Sequence, residues 1–267
     1  MQSRKINITF GLAGILILLL ACNFGAASEE TSPASSGEDL TTAEQPGIPA
    51  ADGPCHNELY PVIQSASWTY SNSGGPFGAF TYTDTITQIR ADGFTLTSQF
   101  PDLVRTQEWA CESEGLKALQ FGGGPTANIS TQGVNADFKT LEVNGISLPR
   151  TITPAMQWQY TLKMEGVAAM PGNQNALSEG TFSSAMQELG RETISVPAGT
   201  FEAIKFHFNN TVKITTDFQG LQVPIEFSGN GFVWYVPGIG HVKSIENSSF
   251  GDEPSTYTTE LQSYNIP

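Results

Sequence analysis

Three histidines, His56, His207 and His241, are the only imidazoles in a chain of 267 residues. A zinc site wants three or four convergent ligands, and no HExxH or paired-Cys motif accompanies any of the three. Their surroundings place His56 at a domain edge, His207 on the polar face of a strand, and His241 in the glycine turn that follows Trp234. Glu112 and Glu114 lie two apart, on one face of any strand that continues through them. Glycosidase chemistry needs two carboxylates about 5 to 10 Å apart in a cleft, whereas these two read as a solvated turn before Gly115. Asp84 stands between Tyr82 and Ile86 on one strand face and is the acid placed closest to apolar neighbours. There is no GxSxG elbow, no P-loop and no GxGxxG, and the Gly122–Gly124 run lacks the Lys and the helix that would make it a phosphate cradle. The residues therefore predict no catalytic set, no metal and no cofactor.

The aromatic residues are the other candidates. Trp68, Trp109, Trp158 and Trp234, with Tyr70 and Tyr160, could line an apolar pocket or a carbohydrate platform. Trp and Tyr at strand positions usually bury, so a core role explains them equally well.

The elements that position these residues are strands. Ile204, Phe206 and Phe208 alternate with Lys205, His207 and Asn209, and Val223, Ile225 and Phe227 alternate with Pro224, Glu226 and Ser228. Phe94, Leu96, Ser98 and Phe100 alternate with polar residues in the same way. Turn signals fall between such runs, at Asp92-Gly93, Asn144-Gly145, Gly122 to Pro125 and Pro171-Gly172. No later stretch sustains a helical stripe for three turns, so the chain is expected to be all-β and antiparallel. A pattern also occurs twice: Trp68-Thr69-Tyr70 and Trp158-Gln159-Tyr160 share Trp-x-Tyr, while Trp109 and Trp234 are each followed six residues later by Gly. This suggests two pseudo-repeated curved sheets, residues 55–145 and 146–267, forming a sandwich, clam or half-barrel.

Composition narrows the function classes. Charged residues make up 14% of the chain, against about 25% in an average domain. Twelve basic residues face 26 acidic ones, for a net charge of −14. A nucleic-acid binder needs Lys and Arg to displace counterions from phosphates, so that class is excluded.

The first 22 residues read as an address. Arg4 and Lys5 precede an uncharged apolar run from Phe10 to Ala21, too short for the roughly 20 residues of a spanning helix. The run ends Leu19-Leu20-Ala21-Cys22, which resembles the bacterial lipobox read by lipoprotein signal peptidase. That resemblance implies removal of residues 1–21 and diacylglyceryl attachment to the Cys22 thiol, giving a membrane anchor of two or three acyl chains. Losing Arg4 and Lys5 takes the net charge from −14 to −16. Residues 22–54 then hold six acids, four prolines and no Lys or Arg, the composition of a disordered acidic tether. With Cys22 assigned to lipid, Cys55 and Cys111 remain as an even pair in an exported chain. A disulfide between them is expected, a catalytic thiol with His56 as its base being the competing reading.

Val196-Pro197-Ala198-Gly199-Thr200-Phe201 and Trp234-Tyr235-Val236-Pro237-Gly238-Ile239-Gly240-His241, with Pro154 and Trp158 before them, are similar to the TapB-like domains of bacterial exported proteins. The likeness runs from about Leu148 to the C-terminus. It implies a β-rich envelope domain, in which these segments form a hairpin turn and the strand pair after it, and it transfers no catalytic residue.

The sequence thus predicts an extracytoplasmic, membrane-anchored lipoprotein whose β-domain, residues 55–267, is a non-catalytic binding or scaffolding module. Its expected partners are the membrane, through Cys22, and an unknown protein or apolar small molecule. The alternative is an envelope hydrolase or carbohydrate-active protein, which would require His207 or His241 to meet Asp or Glu in a cleft.

Overall fold

The structure, a computed structural model, describes residues 53–74, 78–121, 136–170, 174–218, 220–250 and 253–267. The signal segment, Cys22, nearly all of the tether and the turns at 122–125 and 171–172 lie outside them. Thirteen strands account for almost all of the described chain: β1 (Ser67–Gly74), β2 (Phe80–Arg90), β3 (Gly93–Gln99), β4 (Val104–Glu112), β5 (Gly115–Ala118), β6 (Ala136–Gly145) and β7 (Leu148–Pro149), then β8 (Gln157–Met170), β9 (Gln174–Val196), β10 (Gly199–Phe218), β11 (Leu221–Val236), β12 (Gly240–Phe250) and β13 (Glu253–Asn265). Every pairing between neighbours is antiparallel.

Period-two alternation explains most of them. In β10, Phe206 and Phe208 are buried while the intervening His207 keeps partial exposure. In β11 the half-buried Val223, Ile225 and Phe227 alternate with exposed Gln222, Pro224 and Glu226. A proline cannot donate to a ladder, and Pro224 sits where β11 has run past β12, whose pairing begins only at Phe227.

The two halves expected from the Trp motifs join in one sheet of order β6-β8-β9-β10-β11-β12-β13-β1-β2-β3-β4-β5-β7. The first strand pairs with the last, Trp68 opposite Tyr264, and β6 of the first half pairs with β8 of the second. The sheet's two edges, β6 and β7, are consecutive in the chain and separated only by Ile146 and Ser147. The open sheet must therefore curl until these edges lie near each other, along a seam that no ladder closes. Ala118 N donates to Ser147 Oγ at 2.9 Å beside the β5–β7 pairing, and across the seam Tyr160 Oη donates to the Ala118 carbonyl at 2.7 Å.

Twist and bulges give the curl its means; the register slips once each at Thr69/Tyr70, Ile86/Gln88, Thr140/Glu142, Lys205/Phe206 and Trp234/Tyr235. The inner face carries two hydrophobic clusters. One fills the curl of the sheet around Trp68, Phe94, Phe206 and Leu261. The other gathers Leu162, Met164, Phe182 and Ile214 on the long hairpins of β8 to β11.

Candidate functional site

The first cluster is closed by the chain that leads into β1. Asn57 organises this plug: its Oδ1 accepts hydrogen bonds from the amides of Leu59 and Tyr60, and its Nδ2 donates to the Pro149 carbonyl at 2.7 Å. Leu59 and Ala66 are fully buried as a result. Tyr60 lies on Trp68 with ring centroids 4.9 Å apart. Gly240, at φ 107°, makes room for that stack, since a Cβ there would come within 3.2 Å of the Tyr60 ring. Cys55 and Cys111 form the disulfide, with Cα atoms 4.8 Å apart, and it fastens the plug to β4. Arg150 fastens it a second time, its guanidinium donating to the carbonyls of Pro54 at 2.9 Å, Ser113 at 2.9 Å and Glu112 at 3.1 Å.

Between the plug and the β2–β3 turn lies a pocket of about 260 Å³. Its walls are mainly apolar, with Tyr60, Pro61, Val62 and Ile63 on the plug side and Ile89 and Ala91 opposite. Arg90, which lines it, is committed elsewhere: it pairs with Glu108 at 2.5 Å and donates to Thr95 Oγ1 at 2.8 Å. His56 also lines it, with no carboxylate partner among the described residues.

The six candidate aromatic residues separate into two groups. Trp68 and Tyr70 are buried and spend their polar ends on the β11–β12 turn, Trp68 Nε1 donating to Ile239 O at 2.6 Å and Tyr70 Oη to His241 O at 2.9 Å. Trp158 donates to Ser147 O and meets Phe206 edge-on, while Tyr160 donates across the seam. Trp109 stacks on Phe94 at 5.6 Å. These five share the inner face. Trp234 points to the other side of the sheet, opposite Lys205, and is buried there, its Nε1 donating to Glu192 at 2.6 Å with Lys205 5.1 Å over its ring. Each therefore packs and hydrogen-bonds within the fold, and they do not converge on one pocket.

Asp84 occupies the position the alternation gives it, on the inner face and buried, with Ser98 Oγ donating to its Oδ1 at 2.5 Å. Loss of water pushes its carboxyl up to about 7, against a smaller downward pull from Ser98. Burial, and then the charge of Asp84, push Tyr60, Tyr70 and Tyr82 well above the usual phenol range. His241 stacks on Tyr70 at 5.1 Å, and burial lowers its imidazole to about 4. His207 faces the other way, its ring 5.5 Å from Phe232 on the outside of the sheet. The two histidines thus lie on opposite faces and cannot share a metal. Among the described residues no group of three or more His, Cys, Asp and Glu could hold one. Glu112 is paired with Lys117 at 2.5 Å, and Glu114 is bonded to Ser113 in an exposed turn.

Sequence reasoning missed Asn57, Arg150 and the pocket. All three belong to loops with no periodicity to read, and the pocket exists only because the plug folds back on β2.

Fold and site together define a class: an all-β protein built on one curled antiparallel sheet, with a disulfide-fastened plug at its filled end. Neither a protein-family model nor a curated protein matches the chain. Among solved structures it is similar to a protein of Bacteroides fragilis NCTC 9343 described as exported and of YmcC-like fold, at 13% identity and a TM-score of 0.46, over 79% of this chain and 100% of that one. It is similar to a protein of Parabacteroides distasonis ATCC 8503 described as a lipoprotein, at 13% identity and a TM-score of 0.44, over 79% and 99%. A third likeness is to the hypothetical lipoprotein YmcC of Escherichia coli (K12), at 11% identity and a TM-score of 0.30, over 76% and 85%.

Proposed function

We propose that the chain is a non-catalytic, extracytoplasmic lipoprotein, anchored through Cys22, that binds a small apolar ligand in the pocket beside its plug. The pocket carries this reading. Its volume of about 260 Å³ falls just below the range of small-molecule sites, and its walls are mainly apolar. The Cys55–Cys111 disulfide supports an oxidising compartment. The separation of the two histidines and the commitment of the aromatic polar ends to the fold favour binding over hydrolysis.

The test uses N-phenyl-1-naphthylamine, a fluorescent apolar probe of suitable size, with the mature chain from residue 22 carrying Cys22→Ser. Saturable uptake is expected, weakened at least tenfold by Ile63→Lys with the melting transition retained. Absence of uptake, or equal uptake by that variant, removes the pocket reading. The anchor is tested separately: Cys22→Ala should move the protein from membranes to the soluble fraction. A protein partner is the second reading, favoured by Leu177 and Leu221, which are 73% and 66% exposed on the long hairpins. Leu177→Asp with Leu221→Asp would then abolish cross-linking to that partner and leave probe uptake unchanged.

A further inference from the structure

We infer that the ligand of the plug pocket is an amphiphile with an anionic end, a medium-chain aliphatic carboxylate, and that His56 holds its head group. The inference rests on the pocket reading above and adds the chemistry of the ligand. None of the residues lining the pocket is acidic, and those with basic side chains are His56 and Arg90. In a chain with 26 acidic residues against 12 Lys and Arg, that lining reverses the overall balance. Glu58, which follows Asn57, is directed elsewhere: its carboxylate accepts from the Ile152 amide at 3.1 Å and lies 3.8 Å from Arg191. Asp92, which follows Ala91, does not line the pocket.

His56 is fixed between two anchored residues. Cys55 before it is bonded to Cys111, and Asn57 after it is tied to the amides of Leu59 and Tyr60 and to the Pro149 carbonyl. The His56 amide itself donates to the Gly53 carbonyl at 3.0 Å. Its half-buried imidazole bonds to no described residue, whereas the charge of Arg90 is answered by Glu108. An imidazole donates one N–H when neutral and two when protonated, so either form can donate to a carboxylate. Hydrogen bonds to an ionised acceptor are about twice as strong as those between neutral groups, which favours a carboxylate over an alcohol at this position.

The rest of the lining suits an aliphatic chain. The plug supplies one wall from Tyr60 to Ile63, and Ile89 stands opposite. Ile89 is 38% exposed, a large apolar side chain that the fold leaves in water and that a bound chain would cover. The volume of about 260 Å³ has room for one such chain and is too small for the two long chains of a membrane lipid.

Titration calorimetry on the mature Cys22→Ser chain at neutral pH, with octanoate, octanol and octylammonium, tests this. Octanoate should bind at least tenfold more tightly than octanol, with octylammonium weakest. His56→Leu should bring octanoate to the affinity of octanol while the melting transition and uptake of the naphthylamine probe persist. Should His56→Leu fail to fold, His56→Ser takes its place with the same expectation. Probe and octanol bound, with octanoate no tighter than octanol, would overturn the anionic head group and leave the pocket reading standing. A tenfold preference for octanoate that survives the His56 substitution would overturn the role of His56. Failure of all four compounds to bind would remove the pocket reading and this inference with it.

Discussion

Asp84 and His241 approach Tyr70 from different strands, and burial shifts them so that their effects on stability oppose. Asp84 titrates near 7 when folded against 3.8 as a free carboxyl. Between those values the folded chain keeps a proton that the unfolded chain has lost, so this residue makes stability fall as pH rises from about 4 to 7. His241 titrates near 4 against 6.5. There the unfolded chain holds the extra proton, so stability rises with pH over nearly the same window. At about 1.4 kcal/mol per pH unit, each contribution amounts to a few kcal/mol, and they largely cancel. Asp84→Asn should therefore expose the His241 slope, with urea midpoints climbing from pH 4.5 to 6.5. His241→Gln should expose the Asp84 slope, with midpoints falling over the same range. Two variants with parallel pH profiles would contradict the opposed shifts.

At the scale of elements the plug is the least regular piece, and two fastenings hold it. The disulfide closes a separation of 56 residues, for which chain entropy gives about 4 kcal/mol. Replacing Cys55 and Cys111 together by Ser should lower the unfolding free energy by an amount of that order, with Trp68 fluorescence reporting loss of the Tyr60 stack. Arg150→Ala leaves carbonyls of Pro54, Ser113 and Glu112 without their donor and should cost about 1 to 3 kcal/mol in the same urea experiment. The pairing of the cysteines was legible in the sequence, because parity and an export signal need no geometry. The strand faces of Asp84, Phe206 and Val223 were legible because alternation is local. Arg150 was not, since a lone arginine between Pro149 and Thr151 carries no pattern. The shared Trp-to-Gly spacing joined Trp109 and Trp234, yet the two rings point to opposite faces of the sheet, Trp109 onto Phe94 and Trp234 onto Lys205. A spacing motif fixes separation along the chain and leaves the facing of the side chain to register.

For the molecule as a whole, the decisive contacts are those that curl the sheet: β1 with β13, which joins the two ends of the described chain, and the seam. An open sheet leaves rows of unpaired backbone groups on which other chains can add strands. Here the two edges face one another, held by Ser147, by Tyr160 on Ala118, and by Phe121 against Phe182 at 5.3 Å. Tyr160 should therefore separate two properties. Tyr160→Phe keeps the ring contact with Phe182 and loses one hydrogen bond, so about 1 kcal/mol of stability and no change of association state is expected. Tyr160→Ala removes the ring as well, which costs about 3 to 5 kcal/mol by analogy with other buried aromatics and loosens both edges at once. Light scattering across a concentration series should then find Tyr160→Phe in the same state as the unsubstituted chain and Tyr160→Ala in growing assemblies. Equal loss of stability without association in Tyr160→Ala would mean that the seam serves packing alone. Assembly of the unsubstituted chain through β6 would mean that the edges are not mutually covered, and that β6 pairs with a second copy.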